Sequence, residues 1–198
     1  MKKQLFFLLL VVIGSVAQAQ NKLFEAIEAN KLEEVKAALT EGIDVNLTVI
    51  YERKGVKYDK FSPLLCAVIN QNPDIVLELL RKKAKVNATT SAENAFYCNG
   101  ECEAKVSNLT PIIQAAQEGN IEIIKLLVRA KADLDKLMKI KFKNKKCCNK
   151  YYSIEDGKYY DYSATELSVG PQSQAKNKEV LTLLKKAKYS AWAKEPVK

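Results

Sequence analysis

Three stretches of this chain carry one apolar pattern: LFEAIEANKLEEVKAALTEGIDVN (23–46), LLCAVINQNPDIVLELLRKKAKVN (64–87) and IIQAAQEGNIEIIKLLVRAKADLD (112–135). Ala26, Ala67 and Ala115 fall in register, as do Val35, Val76 and Ile124, and then Leu39, Leu80 and Val128. A fourth and looser copy, TELSVGPQSQAKNKEVLTLLKKA, spans 165–187. An internal repeat constrains the fold more than composition can, because each copy must be one structural unit. Each copy reads as a helix pair. Ser62-Pro63 and Thr110-Pro111 supply a capping side chain followed by proline at the first helical position. Asn30, Gln71 and Gly119 occupy the turn, and the small alanines of the first helix let neighbouring helices come close. The second helix presents one buried stripe, Leu32, Val35, Ala38 and Leu39 in the first copy and Ile124, Leu127 and Val128 in the third. A pair of this kind has no core of its own and buries its apolar face by stacking on the next copy, which makes a solenoid.

The stretches SPLLCAVINQNPDIVLELLRKKAKVN and TPIIQAAQEGNIEIIKLLVRAKADLD resemble the ankyrin repeat, T-P-L-H-x-A-A…G…E-V-V-x-L-L-L…G-A-D-V-N. Three units match well and the fourth loosely, over about residues 21–188. Phe24, Leu65 and Ile113 stand where the family has histidine, so packing is expected to replace that residue's hydrogen bonds. Lys83 and Lys131 replace the glycine that Gly42 keeps. The expected fold class is all-α: an ankyrin-repeat solenoid of about four helix-turn-helix units near 21–46, 62–87, 110–135 and 165–187, within a domain at 20–188. The resemblance implies a protein-binding module with no catalytic residue and no cofactor.

Ankyrin units recur about every 33 residues. Here the starts at Leu23, Leu64, Ile112 and Leu167 are 41, 48 and 55 residues apart. The excess lies between helix pairs, at 47–61, 88–109 and 136–164, and reads as extended β-hairpin fingers that lengthen along the chain. Lys54-Gly55, Asn99-Gly100 and Asp156-Gly157 are the expected turns. Insertions on one edge of a repeat array often form its binding surface. The candidate binding residues are Tyr51, Tyr58, Phe96, Tyr97, Tyr151, Tyr152, Tyr159 and Tyr160, with Asn70 and Glu118 on the adjoining inner-helix face. Tyrosine there supplies rigid contact area with a polar tip, or it stabilises the hairpins by cross-strand pairing. Seven lysines between Lys136 and Lys150 make the third finger basic. They read as a solvated edge, with an anionic polymer or surface as the alternative ligand.

Four of the five cysteines, Cys98, Cys102, Cys147 and Cys148, lie in fingers, whereas Cys66 sits at a helix position as a small buried hydrophobe. In an oxidising compartment the four read as disulfides, with three possible pairings. A metal site built from all four thiolates is the alternative, but adjacent Cys147 and Cys148 point apart, so no metal is expected.

Residues 1–19, with Lys2 and Lys3 ahead of an apolar run and Ala17-Gln18-Ala19 behind it, read as a signal peptide. The run is too short for the roughly 20 residues of a membrane span. The mature chain is expected to begin at Gln20, exported to the periplasm or beyond, with no membrane span. Cleavage takes two lysines from a formal net charge of +9, leaving +7. No histidine is present, which removes every mechanism that needs an imidazole. Glu101, Glu155 and Asp156 at hairpin tips are too exposed for pKa tuning, so an enzyme is not expected. Nucleic acid is not an expected partner, and the protein is expected to be a monomer whose tail, 189–198, covers the last repeat with Trp192.

Overall fold

The structure is a computed structural model that describes residues 21–97, 102–142, 160–164 and 174–189. Residues 21–28 form helix α1. It is followed by α2 (Leu32–Thr40), α3 (Pro63–Ile69), α4 (Pro73–Arg81), α5 (Pro111–Glu118), α6 (Ile121–Arg129) and α7 (Gln174–Tyr189). Local chemistry accounts for the helix starts. The side chains of Ser62, Asn72, Thr110 and Asn120 accept hydrogen bonds from the backbone N–H three residues on, and Pro63, Pro73 and Pro111 open three of the four helices.

The first six helices all end alike. The N–H groups of Lys31, Ile43, Asn72, Ala84, Asn120 and Ala132 reach back to the carbonyls of Ala26, Ala38, Ala67, Leu79, Ala115 and Leu127. In each case the residue before the donor has positive φ: Asn30, Gly42, Gln71, Lys83, Gly119 and Lys131, between 56° and 92°. This is the Schellman closure, which favours glycine because a Cβ is strained there. Lys83 and Lys131 carry that strain at exposed sites. Replacing Lys131 by Gly is expected to stabilise the fold by about 0.5–1 kcal/mol, a rise of roughly 2–3 °C in Tm by calorimetry.

The loops after the second helices are stapled to one another. Asn46 Nδ2 donates to the Lys83 carbonyl at 3.2 Å while its Oδ1 accepts from Lys85 N–H at 2.7 Å. Asn87 repeats the pattern one unit along, with the Lys131 carbonyl and the Asp133 N–H at 3.5 and 2.8 Å. The second helices α2, α4, α6 and α7 stack in one row, with α3 and α5 adjacent in the other.

The all-α expectation is overturned. Strands β1 (Val49–Arg53), β2 (Val56–Phe61), β3 (Thr90–Tyr97), β4 (Cys102–Leu109), β5 (Met138–Phe142) and β6 (Tyr160–Tyr162) form one six-stranded antiparallel sheet in chain order. Each finger is a hairpin, and neighbouring fingers also pair, with Lys57, Tyr58 and Asp59 opposite Glu93, Ala92 and Ser91. Ala104 to Ser107 lie opposite Phe142 to Lys139 in the same way. The physical reason is twofold. A lone two-stranded hairpin is marginal in water and exposes two edges, while fusion leaves only β1 and β6 as edges. One face of the sheet is also apolar. Phe61, Ala92, Ala104, Val106, Met138 and Ile140 are buried and belong to the same continuous core as the helices.

The opposite face is a ladder of charge. Glu52 lies opposite Lys57, and Lys57 opposite Glu93. Glu93 bonds Lys105 at 2.8 Å, and Lys139 lies opposite Asp161. Left-handed residues at Lys60, Asn94 and Asn108 accompany the register shifts in the first two hairpins, where bulges add twist. Both residues of the Lys54-Gly55 turn have positive φ, as a tight hairpin turn requires. The turns at Asn99-Gly100 and Asp156-Gly157, residues 165–173 of the fourth copy, Trp192 and residues 1–19 lie outside the described residues.

Candidate functional site

The first finger meets the inner helices through four rings. Phe24 of α1 lies 5.6 Å from Tyr51 and 5.9 Å from Phe61, and Phe61 lies 5.1 Å from Tyr51 and 4.8 Å from Tyr58. Strand periodicity sets Val49, Tyr51 and Arg53 on the inward face of β1, and register places Tyr51 directly opposite Tyr58. Phe24 holds the register position of the repeat's histidine, so a ring stack replaces a hydrogen-bonding imidazole.

Polar groups surround the stack. The Tyr51 hydroxyl shares a hydrogen bond with Glu28, and Arg53 Nε lies 3.7 Å from Glu28 Oε1. Arg53 Nη1 is buried with no hydrogen-bond partner among the described residues. Beneath lies Cys66, fully buried, whose thiol is pushed up to about 12, by burial first and then by the charge of Glu28. Burial also raises Tyr58, and burial followed by the bond to Glu28 raises Tyr51. These groups therefore stay neutral near pH 7 and offer neither nucleophile nor base.

The expected consequences are two. Cys66 should resist a thiol reagent in the folded protein and label on unfolding, as peptide mapping would show. Stability should also fall in alkali. Both kinds of shift raise a folded-state value, so their contribution is complete below the ordinary thiol value of 9 and is lost as pH climbs toward about 12. A urea midpoint measured from pH 8 to 11 reads this directly.

Helix turns complete the surface beside the stack. Asn70 Nδ2 donates to the Ile27 carbonyl at 2.9 Å, a bond between repeats. Glu118 is exposed and accepts from Gln71 at 3.2 Å and from Gln114 at 2.8 Å. The structure thus brings Tyr51 and Tyr58 together, both half-buried, with Glu118 near enough for its charge to act on Tyr58, while Asn70 is tied to α1. Phe96 and Tyr97 lie in β3 and Tyr160 opens β6, their side chains outside the described set. Tyr151, Tyr152, Tyr159, Cys98, Cys147 and Cys148 lie outside the described residues, and Cys102 opens β4 opposite Tyr97. Sequence reasoning missed Arg53 and Glu28, whereas Phe24 was expected to pack in place of the repeat's histidine and does so on Tyr51 and Phe61. Arg53 stands two residues from Tyr51 and therefore on its face, a signal that was available.

Among the described residues no group of three His, Cys, Asp or Glu could hold a metal ion, and no helix is long and apolar enough to cross a membrane. Stacked helix pairs, closed by one recurrent C-terminal motif and stapled loop to loop by asparagine, define a repeat solenoid. The family model for the ankyrin repeat matches residues 59–91 and 107–139, and the chain is an ankyrin-repeat protein. No curated protein matches it. Its repeats mark it as a protein–protein interaction module, from a family of scaffolds rather than catalysts.

Proposed function

We propose that this is an exported ankyrin-repeat protein, periplasmic or secreted, that binds an envelope or extracellular protein through its fingers and the adjoining inner-helix face. The observation that carries the reading is the fusion of three hairpins into one sheet anchored on the helical core. A surface held rigid before binding loses little entropy on association. Tyr51 and Tyr58 divide their rings between the ring stack and the surface, and the aromatic residues in the sequences of the second and third fingers, Phe96, Tyr97, Tyr151, Tyr152, Tyr159 and Tyr160, supply contact area. Disulfides among Cys98, Cys102, Cys147 and Cys148 would tie the finger tips in an oxidising compartment.

The test is capture from envelope extract by the mature chain, beside a variant carrying Tyr97→Ser, Tyr152→Ser and Tyr159→Ser whose folding is checked by circular dichroism. A protein retained by the first and lost by the second supports the finger reading. Equal retention moves the site to the helical face, and retention of nothing contradicts the interaction reading.

A further inference from the structure

The sheet has two edges and treats them differently. β6 is three residues long with exposed Asp161 at its centre, a charge that discourages further pairing. β1 is five residues long, contains no proline and no residue of positive φ, and has β2 as its one neighbour in the sheet. Its outward face carries Ile50, which is 71% exposed, beside exposed Glu52. No hydrogen bond joins the backbone of residues 49–53 to anything but β2 among the described residues. Ile50 is apolar in an outward face that Glu52, Lys57 and Asp59 otherwise make charged on β1 and β2.

The charges say what would fit. Across the sheet, Lys105 is bonded to Glu93, Glu93 lies opposite Lys57, and Lys57 lies opposite Glu52. The alternation spans β4 to β1: beyond Lys105 the row meets Lys141, a like charge, and at Glu52 the sheet ends. A further antiparallel strand that continued the ladder would set a cation opposite Glu52 and an apolar side chain opposite Ile50. A second copy of β1 does not meet that demand. Centred on Ile50, Tyr51 or Glu52, it sets Thr48, Ile50 or Glu52 against Glu52, never a cation.

We infer that β1 is a docking edge for an extended segment of a partner protein, with Lys or Arg followed two residues later by an apolar side chain. Main-chain hydrogen bonds supply affinity at such an edge and the alternate side chains supply choice. The inference deepens the protein-binding reading and rests on it.

The experiment uses two synthetic nine-residue peptides, with Val at odd positions, Thr at even positions and a central Lys or a central Glu. Hydrogen–deuterium exchange of the full mature chain is followed over residues 49–53, with affinity from titration. The Lys peptide is expected to slow exchange in β1 and to bind about fivefold more tightly than the Glu peptide, and Glu52→Lys is expected to reverse that order. Three results would overturn the inference: no slowing with either peptide, a preference unmoved by Glu52→Lys, or slowing that follows protein concentration without peptide. The last assigns the edge to a second copy. The peptides act without the natural partner, so a failed capture from envelope extract and a failed edge protection are separate results.

Discussion

Excising residues 91–108, with a two-glycine linker from Thr90 to Leu109, is expected to abolish cooperative unfolding. The cut is geometrically mild, because Thr90 and Leu109 are register partners at the base of the second hairpin. An isolated finger could be removed in this way at little cost, since surface loops tolerate length changes. This finger is not isolated. Ala92, Ala104 and Val106 are buried in the common core, β2 pairs with β3, and β5 pairs with β4. The deletion removes those side chains and both ladders, and it splits a six-stranded sheet into two two-stranded remnants. The loss is on the order of 5 kcal/mol or more, within the roughly 5–15 kcal/mol that holds a whole domain. Urea titration followed by circular dichroism should show one sigmoidal transition for the parent chain and a shallow slope for the deletion. A deletion variant that kept the parent midpoint would show that the fingers are appendages.

Phe61→Ala has the largest effect expected of any single substitution. Phe61 is fully buried where β2 runs into α3, and it contacts Phe24, Tyr51 and Tyr58. Truncation removes its own transfer free energy and leaves a cavity under three rings that cannot all move to fill it. Losses for Phe→Ala in cores run about 3–5 kcal/mol, which in a chain of this size lowers Tm by roughly 10 °C. Ile50→Ala is the control, since that side chain is mostly exposed, and it should stay within about 0.5 kcal/mol. Equal effects from the two substitutions would mean that the first finger does not rest on α1.

The helix pairs were legible because their signals are local. A Ser-Pro or Thr-Pro start, an apolar stripe at helical spacing and a turn residue recur at matching positions. The alternation of VIYER and VKYDKF was equally visible, and so was the turn at Lys54-Gly55. What could not be read was the pairing of one finger with the next. That pairing sets Lys57 against Glu93 across 36 residues of chain, in a register adjusted by left-handed residues at Lys60, Asn94 and Asn108. No local pattern names such a register, so the sequence presents the fingers as separate additions to an all-α fold. The same gap affected the site. Tyr51 and Tyr58 stood out as finger residues. Their packing on Phe24 and the bond to Glu28 depend on where the sheet lies over the helices.

The claim that fingers and helices share one core is tested most directly by unfolding residues 20–198 in urea with two probes, helical circular dichroism at 222 nm and tyrosine near-ultraviolet circular dichroism. Coincident midpoints and slopes are predicted, because the ring stack and the helix row are one cooperative unit. Loss of the tyrosine signal in a separate, earlier transition would contradict it.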